Sequence, residues 1–208
     1  ERTIPGMSTN AFKVEVTPAD RIIARPASSG DGDDEGLPCG GFASMYSAYA
    51  SYTGCGALPE VMWHLEHVSL KQSNKMLDLR QFDGLQPQDL QALFMALKNN
   101  TYFTCLVLPD LLCGSGKAEK GAPQIEALLE LFRCNATIYA IDMRGSVPKQ
   151  AAGDFWPAMF SALSSNTKSP LTVLNLSNNA LDHTSAQALA SWIQLTQHGL
   201  VELHVVDC

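Results

Sequence analysis

Positive charge and long apolar stretches are scarce in this sequence. Its 208 residues include 14 Lys and Arg against 21 Asp and Glu, which gives a net charge of −7. Proteins that bind the phosphates of nucleic acids or of an anionic membrane surface need clustered basic residues. A membrane-spanning helix needs a run of about 20 apolar residues, and the sequence contains none. We therefore expect no nucleic-acid partner, and an anionic membrane is disfavoured for the same reason.

Cysteine is also sparse, and its spacing shows no pairing. The six cysteines are Cys39, Cys55, Cys105, Cys113, Cys134 and Cys208, and none of them forms the close pair that is typical of a zinc site. A chain of this length can bury a core without disulfide bonds, which are rare in the reducing cytosol. We expect reduced thiols and a cytoplasmic location.

One glycine-rich segment has a superficial similarity to a phosphate-binding loop. Gly114-Ser115-Gly116-Lys117 places a lysine after glycines, as nucleotide-binding loops do. The same pattern requires a glycine at position 111 and a hydroxyl side chain at position 118, where this sequence has Leu111 and Ala118. We therefore predict no nucleotide site and no cofactor.

Candidate metal ligands and nucleophiles are equally incomplete. His64 and His67 could share one helix face as metal ligands, but no two further ligands lie at a suitable spacing. Cys105 and His183 could supply a nucleophile and a base, but the sequence offers no third group to orient the base. We expect no catalytic residue and no metal site, and we predict that the protein is not an enzyme.

The dominant pattern in the sequence is a helix followed by a strand. Four segments carry apolar residues at positions i, i+3, i+4 and i+7, which form one stripe on a helix. The stripes are Leu90/Leu93/Phe94/Leu97, Ile125/Leu128/Leu129/Phe132, Trp156/Met159/Phe160/Leu163 and Ala186/Leu189/Ala190/Ile193. A short run that is similar to L-x-x-L-x-L follows each stripe, and a degenerate fifth run precedes them at Leu77-Asp78-Leu79.

These runs recur at nearly constant intervals. Their central residues are Leu79, Leu108, Met143, Leu176 and Val205, at steps of 29, 35, 33 and 29 residues. This period is typical of leucine-rich repeats, whose units stack because none can bury its own apolar face. Asn179 stands where the repeat pattern has an asparagine that satisfies backbone groups at the turn, and Phe82, Leu111 and Ser146 hold that place elsewhere. We predict an α/β leucine-rich-repeat solenoid with parallel strands and outer helices.

Polar residues interrupt each predicted strand at fixed places. The alternative fold, an ordinary parallel α/β sheet, would have nearly continuous apolar strands. Strand side chains alternate, so the leucines of each run point into the core and the intervening residues point outward. The outward set is Thr104, Cys105, Val107, Tyr139, Ala140, Asp142, Thr172, Val173, Asn175, Val201, Glu202 and His204, flanked by Asp78, Arg80 and Arg144. This concave face is either a protein-binding surface, with Tyr139, Asp142, Asn175, Glu202 and His204 as candidate contacts, or a merely solvated one.

Composition divides the chain into three parts. Residues 1–37 have the Pro, Ser, Gly and Asp content of a linker or an extended arm. Residues 38–75 carry two apolar blocks and are predicted to be the N-terminal cap of the solenoid. Residues 76–208 hold about four repeats, which we expect to be truncated at the C-terminal end because Val205–Cys208 directly follows a strand. Trp63 in the cap and Trp156 and Trp192 in the stripes are predicted core residues.

Several short segments together carry a family resemblance. They are Pro38-Cys39-Gly40-Gly41-Phe42 with Tyr46, Glu60-Val61-Met62-Trp63, Leu77-Asp78-Leu79-Arg80-Gln81-Phe82 with Asp89-Leu90, and the stretch from Ala96 to Leu106. In order and spacing they resemble the N-terminal part of the leucine-rich-repeat domain of the CARMIL family, the capping-protein regulators and myosin-I linkers. The likeness covers residues 38–208, and residues 13–25 are similar to the exit of that family's pleckstrin-homology-like domain.

The resemblance implies a fold and a cellular setting. The fold would be a horseshoe of the ribonuclease-inhibitor type, in a protein that organises actin assembly at the cell cortex. Actin capping protein and myosin-I would be partners through regions outside this chain, and a membrane would be contacted only through a domain that this chain does not contain. The insertion at 114–122, the expansion at 145–153 and Pro157 depart from the family's pattern.

Two functions follow from these observations. We expect a non-enzymatic protein-interaction scaffold that resembles the leucine-rich-repeat region of a CARMIL-like regulator of actin assembly. The alternative is a structural leucine-rich-repeat subunit of a larger ciliary or cytoskeletal assembly. A disordered basic segment after the repeats would favour the regulator, and a capping helix would favour the structural subunit.

The repeat register can be tested by shortening one predicted core residue. Leu176→Ala should lower the free energy of unfolding by roughly 2–5 kcal/mol, because it leaves a cavity in the core. Urea unfolding followed by circular dichroism measures this loss, with Val201→Ala on the outward face as the matched control. If both substitutions cost no more than a surface change, about 0.5 kcal/mol, the assigned register is wrong.

Overall fold

A computed structural model describes residues 38–69, 75–111, 122–196 and 199–208. The chain divides into two units, Glu1–Asp33 and Asp34–Cys208, and every described residue lies in the second unit. The predicted linker or arm of residues 1–37 has no described residue, and the glycine-rich segment Gly114–Lys117 also lies outside the described residues.

The described elements are two leading helices and then an alternation of strands and helices. The leading helices are α1 (Phe42–Thr53) and α2 (Pro59–His67). The alternation runs β1 (Met76–Asp78), α3 (Pro87–Leu97), β2 (Cys105–Val107), α4 (Pro123–Cys134), β3 (Ala140–Asp142), α5 (Lys149–Ser165), β4 (Val173–Asn175), α6 (His183–Leu195) and β5 (Glu202–His204). Short 3-10 turns occupy Pro38–Gly41 and Leu79–Gln81. None of the described helices is both long enough and apolar enough to cross a membrane.

Local sequence signals determine where several helices begin. Prolines occupy the start of α2, α3 and α4, where a missing backbone N–H costs nothing. The carboxylate of Asp89 accepts the N–H of Gln86 at 2.8 Å, and the carboxylate of Asp182 accepts the N–H of Ser185 at 2.8 Å. These caps satisfy backbone donors that have no partner inside the helix.

The five strands pair in parallel and in chain order, β1-β2-β3-β4-β5. One helix joins each strand to the next, and helices α3 to α6 pack on one another in the same order. The middle residues of the strands form one row across the sheet, Leu77, Leu106, Ile141, Leu174 and Leu203. The prediction of an α/β fold with a parallel sheet and helices is confirmed.

The paired strands lie slightly earlier in the chain than the predicted strand centres. Leu79, Leu108, Met143 and Leu176 each follow the last residue of a strand by one position and are fully buried. The spacing between units is unchanged, because every unit shows the same shift. Val205 holds the equivalent place after β5 and is 45% exposed.

Three of the four predicted helix stripes pack into the core. The fourth does so only in part, through Leu189 and Ile193. On α6, Ala186 and Ala190 are exposed. The buried residues of this helix are Ser185, Leu189 and Trp192. The ring of Trp192 stacks on that of Phe160 in α5, with 5.7 Å between centroids. Alanines fit either of two adjacent helix faces, so the packing of the large Trp192 ring decides which face is buried.

Asn179 makes the backbone contacts that its position in the repeat predicts. Its Nδ2 donates to the carbonyl oxygens of Leu176 at 2.8 Å and of Met143, in the preceding unit, at 2.8 Å. Its Oδ1 accepts the N–H of Val147 at 3.0 Å. One unit earlier, the hydroxyl of Ser146 donates to the carbonyl oxygen of Leu108 at 3.0 Å. The predicted role of Asn179 is confirmed, and Ser146 performs part of it.

A second asparagine, which the sequence analysis missed, joins two units at the other end of the strands. Asn135 lies in the loop between α4 and β3 and is buried. Its Nδ2 donates to the carbonyl oxygens of Leu97 at 2.9 Å and Asn100 at 3.1 Å, both in the preceding unit. Its Oδ1 accepts the N–H groups of Thr137 at 2.8 Å and Ile138 at 2.9 Å. One side chain therefore satisfies four backbone groups from two loops.

Asn166 and Asn100 repeat this arrangement in the neighbouring units. The Nδ2 of Asn166 donates to the carbonyl oxygens of Phe132 at 2.9 Å and Asn135 at 2.7 Å. The Nδ2 of Asn100 donates to the carbonyl oxygen of Cys39 at 3.0 Å. Positions 100, 135 and 166 are 35 and 31 residues apart, close to the repeat period. That spacing is the signal by which the sequence could have revealed them.

The turn before α1 is fixed to the first loop of the repeating units. Cys39, Gly40 and Gly41 have successive left-handed φ values of 51°, 62° and 75°. A Cβ atom on Gly40 would lie 3.2 Å from the Cβ of Tyr102, so glycine is required there by both conformation and space. The hydrogen bond from Asn100 to Cys39 holds this turn against the loop that precedes β2.

The prediction that Trp63 is a core residue is wrong. Its side chain is 58% exposed and stacks on the imidazole of His67, with 4.9 Å between centroids. Val61 and Leu65 form the buried face of α2, and Trp63 lies two positions from each of them, on the opposite side of the helix. The other two tryptophans do lie in the core.

The asparagine contacts predict a specific loss of stability. Asn135→Ala should lower the free energy of unfolding by about 1–3 kcal/mol, because buried backbone groups of two loops lose their partners. Asn99→Ala, at an exposed position in the neighbouring loop, is the control and should change stability by no more than about 0.5 kcal/mol. Urea unfolding measures both, and equal effects would contradict the joining role of Asn135.

Candidate functional site

One face of the sheet is turned away from the helices. The middle residues of β1 to β4 belong to the hydrophobic core, so the first and third residues of each strand lie on the opposite face. They form two rows across the sheet, Met76-Cys105-Ala140-Val173-Glu202 and Asp78-Val107-Asp142-Asn175-His204. We call these ten residues the strand face.

The five predicted contact residues differ in how accessible they are. Tyr139 directly precedes β3 and is half-buried. Glu202 is exposed and lies 3.6 Å from the half-buried imidazole of His204. Asp142 and Asn175 are only 0% and 3% exposed, so the expectation that their side chains meet solvent is wrong. The structure therefore brings Glu202 and His204 together and buries Asp142 and Asn175.

Asp142 and Asn175 are buried because they close the turns that follow their strands. The Oδ1 of Asp78, Asp142 and Asn175 each accepts the N–H of the residue two positions later, an Asx turn. The donors are Arg80, Arg144 and Ser177, at 2.9, 2.9 and 3.0 Å. The sequence signal for this feature is Asp-Leu-Arg, Asp-Met-Arg and Asn-Leu-Ser at three equivalent places. The first role of these polar side chains is therefore to accept hydrogen bonds from the backbone of the following turn.

The second carboxylate oxygen of Asp142 binds two arginines. Its Oδ2 accepts hydrogen bonds from Arg144 at 3.1 Å and from Arg80, two strands away, at 3.2 Å. The side chain of Asp142 is 0% exposed, whereas those of Arg80 and Arg144 are 34% and 26% exposed. Burying an unpaired carboxylate would cost several kcal/mol, and the two guanidinium groups offset that cost. We call Arg80 and Arg144 the arginine pair.

The candidate nucleophile and metal ligands lie in separate surroundings. Cys105 is buried, and burial raises the pKa of its thiol, which disfavours the reactive thiolate. His64 is also buried, 3.1 Å from the hydroxyl of Ser69, and burial lowers its pKa. His67 is exposed, and its Nδ1 lies 2.9 Å from the carbonyl oxygen of Trp63. Within the described part of the chain, no group of three or more His, Cys, Asp or Glu could hold a metal ion.

The sequence of this chain is similar to parts of several much longer proteins. Protein CARMIL of Dictyostelium discoideum is 23% identical over 173 residues, 82% of this chain and 16% of that protein. The human capping protein, Arp2/3 and myosin-I linker protein 3 is 27% identical over 168 residues, 79% of this chain and 11% of that protein. The chain resembles the CARMIL family. The resemblance drawn from the short segments is confirmed, although no family model matches the chain.

A relative with a different name shares the same region. The Rho GTPase-activating protein gacW of Dictyostelium discoideum is 24% identical over 204 residues, 98% of this chain and 17% of that protein. Together with the two CARMIL relatives, it shows that the chain spans 11 to 17% of the length of the curated proteins it matches.

Two solved structures share the fold. The leiomodin-1 actin-binding site 2 matches with a TM-score of 0.53 and 20% identity, covering 72% of this chain and 80% of that chain. The tropomodulin C-terminal domain of Caenorhabditis elegans matches with a TM-score of 0.52 and 9% identity, covering 84% of this chain and 83% of that chain. At these identities the likeness concerns the fold alone.

The buried carboxylate predicts a measurable difference between two acidic residues of the strand face. Asp142→Ala should lower the free energy of unfolding by about 1–3 kcal/mol, because two guanidinium groups and a backbone N–H lose their acceptor. Glu202→Ala, at an exposed position, should cost no more than about 0.5 kcal/mol. Asp142→Asn retains the Oδ1 acceptor and should fall between them. Urea unfolding measures the stability of all three variants. Equal losses for the two alanine variants would contradict the structural role of Asp142.

Proposed function

We propose that this chain forms part of a leucine-rich-repeat solenoid that acts as a non-enzymatic protein-interaction scaffold in a CARMIL-like regulator of actin assembly. The similarity to CARMIL proteins over 79–82% of the chain carries the proposal. The parallel strands in chain order, with a helix after each of β1 to β4 and successive helices packed on one another, support the solenoid. In this proposal residues 38–75 are its cap, residues 76–208 are its repeats, and the protein acts in the cytoplasm at the cytoskeleton or cell cortex.

A binding role accounts for the polar groups better than catalysis does. The buried thiol of Cys105 has a raised pKa, and the charge of Asp142 is paired with two arginines. The same region aligns with a protein named CARMIL and with one named a Rho GTPase-activating protein, and it makes up only 16% and 17% of their lengths. A domain shared by large proteins of different names is typical of an interaction module.

The strand face, together with Tyr139 beside it, is the proposed partner surface. Its accessible end carries Glu202 and His204, next to Val201, which is 59% exposed. Asp142 and Asn175 contribute by holding the turns that border the face. A mixture of carboxylate, imidazole, phenol and apolar groups is the composition expected of a protein–protein contact.

Capping protein and myosin-I are proposed to be bound by regions outside this chain. The CARMIL resemblance implies that uncapping belongs to an extended basic segment, whereas this chain has a net charge of −7. A folded acidic surface can dock a partner but cannot replace a disordered arm that gains affinity by wrapping. The repeats would therefore position the regulator rather than uncap filaments.

Elongation of pyrene-labelled actin from capped filaments tests this division of roles. The purified chain should leave the filaments capped at micromolar concentration, while a full CARMIL protein added in parallel serves as the positive control. Rapid regrowth with this chain alone would show that the repeats carry the uncapping site. Tyr139, Asp142, Asn175, Glu202 and His204 would then be the first places to search for it.

Direct contact with actin is a second candidate function. One of the two solved structures with this fold is titled an actin-binding site, and the other is a tropomodulin domain. We propose that this contact is made through Tyr139, Glu202 and His204, because these three are the accessible members of the predicted contact set.

Titration of fluorescently labelled actin monomers tests that candidate. A saturable change in fluorescence is expected, and Tyr139→Ala combined with Glu202→Lys should weaken binding by roughly tenfold, or about 1.4 kcal/mol. Gln187→Ala, at an exposed position on α6, is the matched control and should leave the titration unchanged. If no saturable change occurs with the unmodified chain, direct actin binding is rejected and the scaffold proposal stands without it.

A further inference from the structure

The arginine pair is organised more tightly than a surface ion pair. Both guanidinium groups donate an NH2 hydrogen to the same oxygen of Asp142, at 3.2 and 3.1 Å. The two NH2 atoms are therefore separated by no more than the sum of these two distances. The shared acceptor is fully buried and is itself fixed by the Asx turn to Arg144. Two cationic groups are thus held side by side at one end of the strand face.

The pair keeps binding capacity toward solvent. Each guanidinium group has five N–H donors. The described contacts of Arg144 use one of these donors, and those of Arg80 use one at 3.2 Å and a second, to Asp78, at the long distance of 3.5 Å. The side chains remain 26% and 34% exposed. Between Asp78 and Asp142, the same row of the strand face holds Val107, which is apolar and 1% exposed.

We propose that the arginine pair is a receptor for side-chain carboxylates in an acidic segment of a partner protein. Two adjacent planar guanidinium groups match the two oxygens of a carboxylate, which can accept parallel hydrogen bonds from them. The buried charge of Asp142 holds them in that arrangement before the partner arrives, so less side-chain freedom is lost on binding. This inference rests on the proposed function, because it specifies the chemistry of a partner for the strand face.

An acidic protein segment fits the chain better than a nucleic acid or a lipid surface. Both of those ligands present many phosphates, and a chain with a net charge of −7 repels an extended polyanion. Elsewhere in the described residues, the helix-side cations Lys98 and Arg133 are already paired with Glu130, at 3.2 and 2.7 Å. A short segment with one or two carboxylates needs only the local contact that the arginine pair provides.

Nuclear magnetic resonance of the arginine side chains tests the proposal directly. The Nε–H signals of Arg80 and Arg144 are followed while the chain is titrated with a short peptide of alternating Glu and Gly. A peptide with Gln in place of Glu is the matched ligand, and inorganic phosphate is the third ligand. We expect saturable shifts of both arginine signals with the Glu peptide only, and roughly tenfold weaker binding for Arg144→Gln and for Arg80→Gln.

Two further variants separate recognition from folding and from general charge. Arg144→Lys keeps the positive charge but removes the planar fork, so it should also weaken binding of the Glu peptide. Lys168→Gln, at an exposed position away from the pair, should change that binding by less than about twofold. A circular dichroism melt of each variant shows whether it is folded, and Arg144→Lys retains the ion pair with Asp142 if Arg144→Gln proves unstable.

The outcomes are distinguishable from those of the proposed function. Shifts without saturation, equal binding of the Gln peptide, tighter binding of phosphate, or an unchanged Arg144→Lys variant would each overturn the carboxylate receptor. The scaffold proposal would survive these results, because it rests on the similarity to CARMIL proteins and filament elongation tests its division of roles separately. Conversely, saturable binding of the Glu peptide supports the receptor even if the chain does not bind actin.

Discussion

The structure depends on side chains that satisfy the main chain of the neighbouring unit. Each strand–helix unit is short and has loops at both ends, so buried carbonyl and N–H groups would otherwise lack partners. At one end Asn135 and Asn166 donate to carbonyl oxygens of the unit before them. At the other end Asn179 and Ser146 do the same. Apolar packing provides most of the driving force for stacking, but these amides and hydroxyls determine the register in which the units stack.

The same requirement shapes the face of the sheet that lies away from the helices. Its acidic and amide residues first serve the turns after the strands, as the Asx bonds of Asp78, Asp142 and Asn175 show. Asp142 also has a second role, because its other oxygen lies where arginines from two units can reach it. A charge that is buried for a backbone reason thereby organises two exposed cations. The Oδ1 of Asp142 accepts the backbone N–H of the turn, and its Oδ2 accepts hydrogen bonds from the arginine pair.

The same region occurs in proteins with different names. It aligns with proteins named CARMIL and with a Rho GTPase-activating protein, and in each it corresponds to a small part of a long chain. In this chain the accessible polar groups on and beside the strand face include Glu202, His204 and the arginine pair, which provide carboxylate, imidazole and guanidinium chemistry.

The period, the fold class and the family resemblance could all be predicted from the sequence. Apolar spacing alone distinguishes helices from strands, and the steps between Leu79, Leu108, Met143 and Leu176 equal those between the observed strand centres. Asn179 was also predictable, because its place in the repeat has one backbone role. Periodicity failed where it was weak, as on α6, where alanines allow two faces and the packing of Trp192 decides between them.

Which polar residues are buried and which are accessible depends on contacts between units, and these contacts are visible only in the three-dimensional structure. Alternation along a strand shows which way a side chain points but not what lies above it, so the pattern predicts the same outward direction for Asp142 and Glu202. In the structure Arg80 crosses from two strands away to cover Asp142, a contact between residues 62 positions apart, whereas Glu202 lies on the last strand of the sheet and remains exposed. The asparagines at 100, 135 and 166 recur at about the repeat period, but the carbonyl groups to which they donate belong to the segment before their own. Which carbonyl groups they reach depends on how the units stack.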